Sequence, residues 1–118
     1  MNETTIKIKP LSVNSCWQGR RFKSKEYKTY YEPTLYRLLP KIDFDFSKPC
    51  KLRLVFGFSN RASDIDNPIK PILDVMQKRY SFNDKNIYKL EVEKEIVKKG
   101  EEYFSFELEE MLIKYKTY

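Results

Sequence analysis

The 118-residue chain contains no histidine. Ser-His-Asp triads, Cys-His pairs and zinc sites with imidazole ligands are therefore excluded. Its two cysteines, Cys16 and Cys50, are too few for an all-thiolate zinc site, lack the CxxC spacing and are expected to be reduced thiols. A metal ion bound by this chain would need carboxylate ligands, which favour the hard cations Mg2+ and Mn2+.

Long apolar runs are also lacking. No segment approaches the roughly 20 apolar residues that cross a bilayer, and the start, MNETTIKIKPL, has no apolar stretch of about 7 to 15 residues. We therefore expect a cytoplasmic protein without a membrane partner. With 41% hydrophobic and 15% aromatic residues, a chain of this length can form one core, so residues 1–118 are predicted to form a single domain.

Charge is distributed unevenly along the chain, whose net charge is +6. Residues 1–60 carry 12 Lys and Arg against 5 Asp and Glu, whereas residues 61–118 carry 11 against 12. A surface with this basic excess attracts a polyanion, and nucleic acid is the most plausible one. Composition alone is equally compatible with a basic protein that has no such partner.

Alternation of apolar and polar residues predicts four strands. The clearest is CKLRLVFGF, residues 50–58, in which every second residue from position 52 is Leu or Phe. An earlier strand is predicted over TIKIKPL until Pro10 ends the pattern, and two later ones over NIYKLEVEKEIV and EYFSFELEEM. Because these last two flank Lys99 and Gly100, we predict that they form a hairpin.

Two helices are predicted as well. Ser24 is a candidate N-cap for a helix through KEYKTYYEPTLYRLL, in which Pro33 either kinks the helix or begins a second one. Another helix is predicted from about Asn67 to Arg79, with Asn67 as its cap and Pro68 as its first residue. The predicted fold class is α+β, with a small mixed sheet and two main helices.

An acidic group occurs within this basic chain. The segment SDIDNPIKPILDVM, residues 63–76, places Asp64, Asp66 and Asp74 around Lys70, and FNDKNI adds Asp84. Asp64 and Asp66 would leave one face of an extended segment about 7 Å apart, a spacing that suits a shared cation. Lys70 and Asp74, four residues apart, would lie on one side of the predicted helix. We predict that these carboxylates converge on a Mg2+ ion.

The same acidic residues also allow a purely structural interpretation. In that case Asp66 caps the helix, Lys70 and Asp74 form an exposed ion pair, and Asp84 lies in a turn. Charged residues are common around helix starts, and exposed ion pairs contribute little to stability.

Basic and aromatic residues are mixed in the N-terminal third of the chain. Such a surface can bind a DNA backbone and stack on unpaired bases at a branch point, although a tryptophan such as Trp17 is more often a core residue. The predicted DNA-binding residues are Asn14, Arg20, Arg21, Lys23 and Lys25, which lie near Trp17 and Phe22.

Several of these motifs occur together in one known family. The segment PLSVNSCWQGRRFKSKEY, followed by DIDNPIKPILD and NDKNIYKLEVEK, resembles the RusA family of Holliday junction resolvases, crossover junction endodeoxyribonucleases common in phages and prophages. The resemblance extends from about Ile6 to the last predicted strand. It is specific because the D-x-D-N-x-x-K-x-x-x-D and D-x-x-I motifs have the order and separation of that family.

Membership of this family would imply a small homodimeric Mg2+-dependent endonuclease that nicks four-way DNA junctions symmetrically. It would also imply that Asp64, Asp66 and Asp84 are the essential carboxylates, that Lys70 is the catalytic lysine and that Asp74 is a supporting acid. The chain departs from the family pattern at Asn83, where members usually carry a second aspartate beside Asp84.

Two functional hypotheses follow. In the first, Mg2+ (or Mn2+) held by the carboxylates activates water and neutralises charge on the phosphate, while Lys70 contacts a phosphate oxygen, and the protein resolves junctions in DNA recombination and repair. In the second, the protein keeps the fold as a non-catalytic DNA-binding or dimerisation protein. The departure at Asn83 is the main support for the second hypothesis.

A four-way junction also bears on the oligomeric state. The junction has two equivalent strands to cut, whereas each chain supplies one set of carboxylates. A two-fold dimer matches that symmetry and is the commonest assembly of small proteins. We therefore predict a homodimer with one metal site per protomer.

The two adjacent arginines provide a test of the predicted DNA surface. Replacing Arg20 and Arg21 together by Ala should weaken binding to all DNA and reduce the slope of log K against log salt concentration by about 1.8, as expected for two lost phosphate contacts. Affinity titrations at several salt concentrations measure this slope. Replacing Lys98 and Lys99 is the charge-matched control, and an unchanged slope in the arginine variant would show that these arginines do not contact phosphate.

Overall fold

The computed structural model describes residues 2–10, 17–18, 22–23 and 30–117, with only the backbone described at 17–18 and 22–23. In these ranges the chain forms two sheets and two α-helices, which agrees with the predicted α+β class. The elements are β1 (Thr4–Ile6), β2 (Trp17–Gln18), β3 (Phe22–Lys23), α1 (Glu32–Leu38), β4 (Cys50–Phe58), α2 (Ile69–Tyr80), a 3-10 helix (Asp84–Asn86), β5 (Ile87–Ile96) and β6 (Tyr103–Glu110).

The larger sheet has the strand order β1-β6-β4-β5 and is mixed, as predicted. β4 runs parallel to β5 and antiparallel to β6, while β1 pairs antiparallel with β6. β2 and β3 form a separate antiparallel pair.

The predicted hairpin between the last two strands is wrong, because β4 lies between β5 and β6. The connection over residues 97–102 passes the end of β4, where the amide of Val97 donates to the carbonyl of Phe58 at 2.8 Å. Gly100 has φ +92° in this connection, a conformation that side chains disfavour. Alternation predicted both strands correctly, but it carries no information about which strand lies beside which.

The core lies on one face of the central strand β4. Its even-numbered residues Leu52, Leu54, Phe56 and Phe58 are buried on the face that also carries the helices' apolar residues. Ile72, Val75 and Met76 of α2 and Leu35 of α1 belong to the same buried cluster. Burying a side chain of this size stabilises the fold by about 1.5 to 3 kcal/mol.

The helix α2 connects the parallel strands β4 and β5. It begins at Ile69 and its N-cap is Pro68, which makes no side-chain cap hydrogen bond, so the predicted capping role of Asn67 is wrong. The side-chain amide of Asn67 instead donates to the Asp64 carboxylate at 3.4 Å. α2 ends at Tyr80, and its C-cap Ser81 has a left-handed φ of 53°.

The first helix is shorter within the described residues than its predicted range. Pro33 lies in the first turn of α1, where its missing N–H costs no hydrogen bond. The predicted cap, Ser24, lies outside the described residues. Cys50 is a buried free thiol, and burial raises its pKa.

Gly57 is required by the close approach of an aromatic ring. Gly57 pairs with Tyr103, and a Cβ atom at position 57 would overlap the Tyr103 ring. The Tyr103 hydroxyl donates to the Glu95 carboxylate, and desolvation together with this carboxylate raises the pKa of Tyr103 to about 12. The Tyr103 ring therefore lies against Gly57, and its hydroxyl is held by Glu95.

Gly57→Ala should displace the Tyr103 ring and lower the free energy of unfolding by about 1 to 3 kcal/mol, as overpacking does. Denaturant unfolding measures this change. In a Tyr103→Ala background the same substitution should cost much less, because the clash is gone. Equal costs in the two backgrounds would refute the contact as the cause.

Candidate active site

The loop that follows β4 carries the first predicted ligands. Its turn is formed locally, since the amide of Ala62 donates to the Asn60 side chain at 2.8 Å and the amide of Ser63 donates to the Asn60 carbonyl at 3.2 Å. The Asp66 carbonyl then accepts from the amide of Ile69 at 3.2 Å, which leads the chain into α2.

Asp64 and Asp66 are both exposed at this end of the sheet. Asp64 also lines a pocket of about 80 Å3 together with Phe58, Asn67 and Pro68. That volume accommodates several water-sized groups. An exposed carboxylate that lines a small pocket, with a second exposed carboxylate two residues later, is a suitable ligand type for a hydrated hard cation.

Lys70 lies in the first turn of α2, next to this loop. Its ammonium is 3.3 Å from the Asp74 carboxylate, and the two side chains are 65% and 22% exposed. An exposed pair four residues apart on a helix is weak, about 0.3 to 0.5 kcal/mol. Asp74 therefore orients Lys70 without preventing its ammonium from turning to another anion.

Asp84 lies at the opposite end of the sheet. It precedes β5, whose first residue Ile87 pairs with Cys50, whereas Asp64 follows the other end of β4. The nine residues of β4 span about 27 Å at a rise of about 3.3 Å per residue. Within one chain the structure therefore does not bring Asp84 to Asp64 and Asp66. The predicted convergence of these three carboxylates in a single protomer is wrong.

Across residues 2–10 and 30–117, no three Asp, Glu, Cys or His side chains are grouped so that they could hold a metal ion. The acidic residues of the loop after β4 therefore do not form a complete ligand group within the described part of one chain. The assignment of Asp64, Asp66, Asp74 and Asp84 as metal ligands stays a prediction.

The turn around Asp84 has its own hydrogen bonds. Asn83 caps the 3-10 helix, and its side-chain oxygen accepts from the amide of Lys85 at 2.9 Å. The amide of Asp84 donates to the Gln77 side chain at 3.1 Å. These bonds leave the exposed Asp84 carboxylate at the surface.

An aromatic cleft of about 390 Å3 adjoins this turn. Phe46 stacks on Phe82 with ring centroids 4.3 Å apart, and Tyr80 and Asn83 also line the cleft. This cleft was not predicted from the sequence, because the aromatic spacing in IDFDF and RYSF resembles that of ordinary core residues.

The predicted DNA-binding residues lie almost entirely outside the described part of the chain. Asn14, Arg20, Arg21 and Lys25 fall outside it, and for Lys23 only the backbone of β3 is described. Their role stays a prediction.

Lys94 was not singled out from the sequence. Its ammonium donates to the carbonyls of Arg61 and Ser63 at 2.7 and 2.6 Å. In the sequence, Lys94 follows Leu90 and Val92 at every second position of the strand, where an apolar residue is expected.

Within the described residues, no helix has the length and apolar character needed to span a bilayer.

The family model of endodeoxyribonuclease RusA matches residues 13–102. The chain belongs to the RusA endodeoxyribonuclease family. This match confirms the predicted family, which is a family of nucleases that act on DNA. The RusA match includes the loop after β4, the helix α2 and the turn at Asp84, and it ends before β6. No curated protein sequence matches the chain.

Proposed function

We propose that this protein is a Mg2+-dependent endonuclease that resolves Holliday junctions by paired symmetric nicks in DNA recombination and repair. The observation that carries the proposal is that Asp64 and Asp66 are exposed in the loop before α2 while Lys70 lies in the first turn of that helix, in a chain of the RusA family. The RusA-like endonuclease domain would comprise residues 1–118.

The donor chemistry fits a hard cation. Asp64 and Asp66 offer carboxylate oxygens, and the pocket beside Asp64 leaves room for coordinated water. When bound, Mg2+ or Mn2+ would activate water and neutralise charge that develops on the phosphate. Because the chain has no histidine, the general base would be a carboxylate or a metal-bound hydroxide.

Lys70 would bind the phosphate. Its side chain is 65% exposed and its one described partner is Asp74, so its ammonium is available to a phosphate oxygen at the loop. Removing a side-chain charge that stabilises the transition state, as the Lys70 ammonium would, typically lowers the cleavage rate about 100- to 1000-fold. Asp74 would orient Lys70 and act as a supporting acid near the metal.

Asp84 requires a second copy of the chain to take part in this site. β5 is an edge strand of the described sheet, and Asp84 lies just before its start. If two β5 strands pair antiparallel about a two-fold axis, the start of one strand lies beside the end of the other. Asp84 of one protomer would then lie at the end of the sheet where Asp64 and Asp66 of its partner are found.

The β5 strand has a surface suited to this pairing. Tyr88, Leu90 and Ile96 are 55%, 40% and 49% exposed, and they alternate on the same face of the strand. Exposed apolar residues along an unpaired strand edge are typical of protein interfaces. The proposed homodimer would thus have two metal sites, each built from both protomers.

Branched DNA would be held by the N-terminal basic residues as well as by the metal sites. The proposed contacts are those of Asn14, Arg20, Arg21, Lys23 and Lys25. Phosphate contacts of this kind position the substrate without reading its sequence.

A specific observation favours the second hypothesis, a non-catalytic DNA-binding or dimerisation protein. One protomer lacks a described group of three acidic ligands, and Asn83 replaces a usual aspartate. If the two-fold arrangement does not form, the remaining pair of carboxylates would bind a cation only weakly.

A cleavage assay separates the two functions. The wild-type protein should convert a labelled four-way junction to nicked duplexes with Mg2+ and only bind it without Mg2+. Asp66→Asn should abolish cleavage while preserving junction affinity, because it removes a metal ligand and a negative charge near phosphate. Glu101→Gln, which removes an exposed carboxylate in the turn before β6, is the matched control. Binding without cleavage by the wild-type protein would support the non-catalytic function.

Mixing two inactive variants tests whether the site spans two protomers. A heterodimer of Asp66→Asn and Asp84→Asn chains would contain one doubly altered site and one intact site. The mixture should therefore nick one strand of each junction, at up to half of the wild-type rate, although each variant alone is inactive. Inactivity of the verified heterodimer would contradict the shared site and would place all ligands of each site in one chain.

A further inference from the structure

Lys94 occupies an unusual place in β5. It pairs with Phe56, one of the fully buried residues of β4, and its neighbour on the same face, Val92, packs against the core. A charged side chain in such a position needs hydrogen-bond acceptors, because a partly desolvated ammonium is costly without them. Lys94 is half-buried, and its ammonium lies 5.8 Å from the centre of the Phe58 ring.

The acceptors come from the loop that carries the predicted metal ligands. The Lys94 ammonium donates to the carbonyl of Arg61 at 2.7 Å and to the carbonyl of Ser63 at 2.6 Å. Hydrogen bonds from a charged donor are shorter and stronger than neutral ones. Two of the three ammonium donors thus connect β5 to a loop more than 30 residues earlier in the chain.

The Ser63 carbonyl belongs to the peptide unit that leads into Asp64. Because a peptide unit is planar, a hydrogen bond that fixes this oxygen also fixes the Cα atom and the N–H of Asp64. The Asp64 carboxylate also accepts a hydrogen bond from the side-chain amide of Asn67 at 3.4 Å. The direction of the Asp64 carboxylate therefore depends on a lysine that is not itself a ligand.

We propose that Lys94 is a positioning residue that holds the loop of residues 61–64 in the geometry needed for Asp64 to bind a divalent cation. The inference rests on the proposed function, because it assigns Lys94 a role toward that same site. Residues that orient metal ligands typically contribute about 10- to 100-fold to metal affinity or activity.

Lys94→Met removes the donors and the charge while keeping the apolar stem, and Lys94→Arg restores a charged donor. Lys98→Met is the matched control, because Lys98 is an exposed lysine in the turn just after β5. Amide hydrogen exchange is measured without metal, Mn2+ binding is measured by titration without DNA, and junction cleavage is measured across Mg2+ concentrations.

In Lys94→Met, exchange should accelerate about tenfold or more at residues 61–66 while the amides of β4 and β6 keep their protection. The Mn2+ dissociation constant and the half-saturating Mg2+ concentration should both rise about 10- to 100-fold, with most of the cleavage rate recovered at saturating Mg2+. Lys94→Arg should recover at least part of each effect, and Lys98→Met should resemble the wild type.

Unchanged Mn2+ affinity and Mg2+ dependence in folded Lys94→Met would overturn the positioning role, as would acceleration of exchange throughout the sheet. If Lys94→Met does not fold, Lys94→Gln, which keeps one neutral donor, is measured in the same way, and wild-type metal binding in that variant would overturn the proposal. A wild-type protein that binds Mn2+ but cleaves no junction would refute the proposed function, while the exchange and Mn2+ measurements would still decide the role of Lys94.

Discussion

The parallel pairing of β4 with β5 is the constraint on which the rest of the molecule depends. Two parallel neighbours cannot be joined by a tight turn, so the chain must cross from the end of β4 back to the start of β5, and α2 makes this crossover. The crossover buries Ile72, Val75 and Met76 of α2 in the core that covers one face of the sheet. It also places the residues before α2 and those after it at opposite ends of the sheet. Asp64 and Asp84 are separated for that reason alone.

The separation of Asp64 from Asp84 within one chain fits a two-fold symmetric dimer. The proposed substrate, a four-way junction, has the same symmetry. A single chain divides its predicted ligands between two ends of one sheet, and an antiparallel pairing of two β5 strands would reunite them twice. Two incomplete sites would become two complete ones, related by the same axis that relates the two strands of a four-way junction to be cut. Cleavage would then depend on dimer formation, which would prevent an isolated protomer from nicking DNA.

Sequence periodicity predicted the elements far better than their arrangement. Cys50–Phe58 was predicted at its observed bounds because alternation with buried Leu and Phe is specific to a strand. The false hairpin shows the limit of that information, since β5 and β6 alternate just as clearly whether they pair with each other or on either side of β4. The site was predicted as residue types but not as an arrangement, because the D-x-D-N-x-x-K motif is local whereas Asp84 depends on the crossover. Lys94 was missed because two of its partners are backbone carbonyls, which have no residue-type signature.

The substitution at Asn83 can be understood as a change of charge without a change of geometry. The Asn83 side-chain oxygen accepts the Lys85 amide and caps the 3-10 helix, and an aspartate oxygen would accept the same hydrogen bond about equally well. We therefore expect the turn to form, with Asp84 in the same position, with either residue. What changes is one negative charge beside a proposed cation site, in a half of the chain that is already nearly neutral. A lower negative charge weakens attraction for Mg2+ and also weakens repulsion of the DNA phosphates, so the two effects oppose each other. An asparagine at this position is thus compatible with a nuclease whose cation is bound mainly when the substrate phosphate completes its coordination.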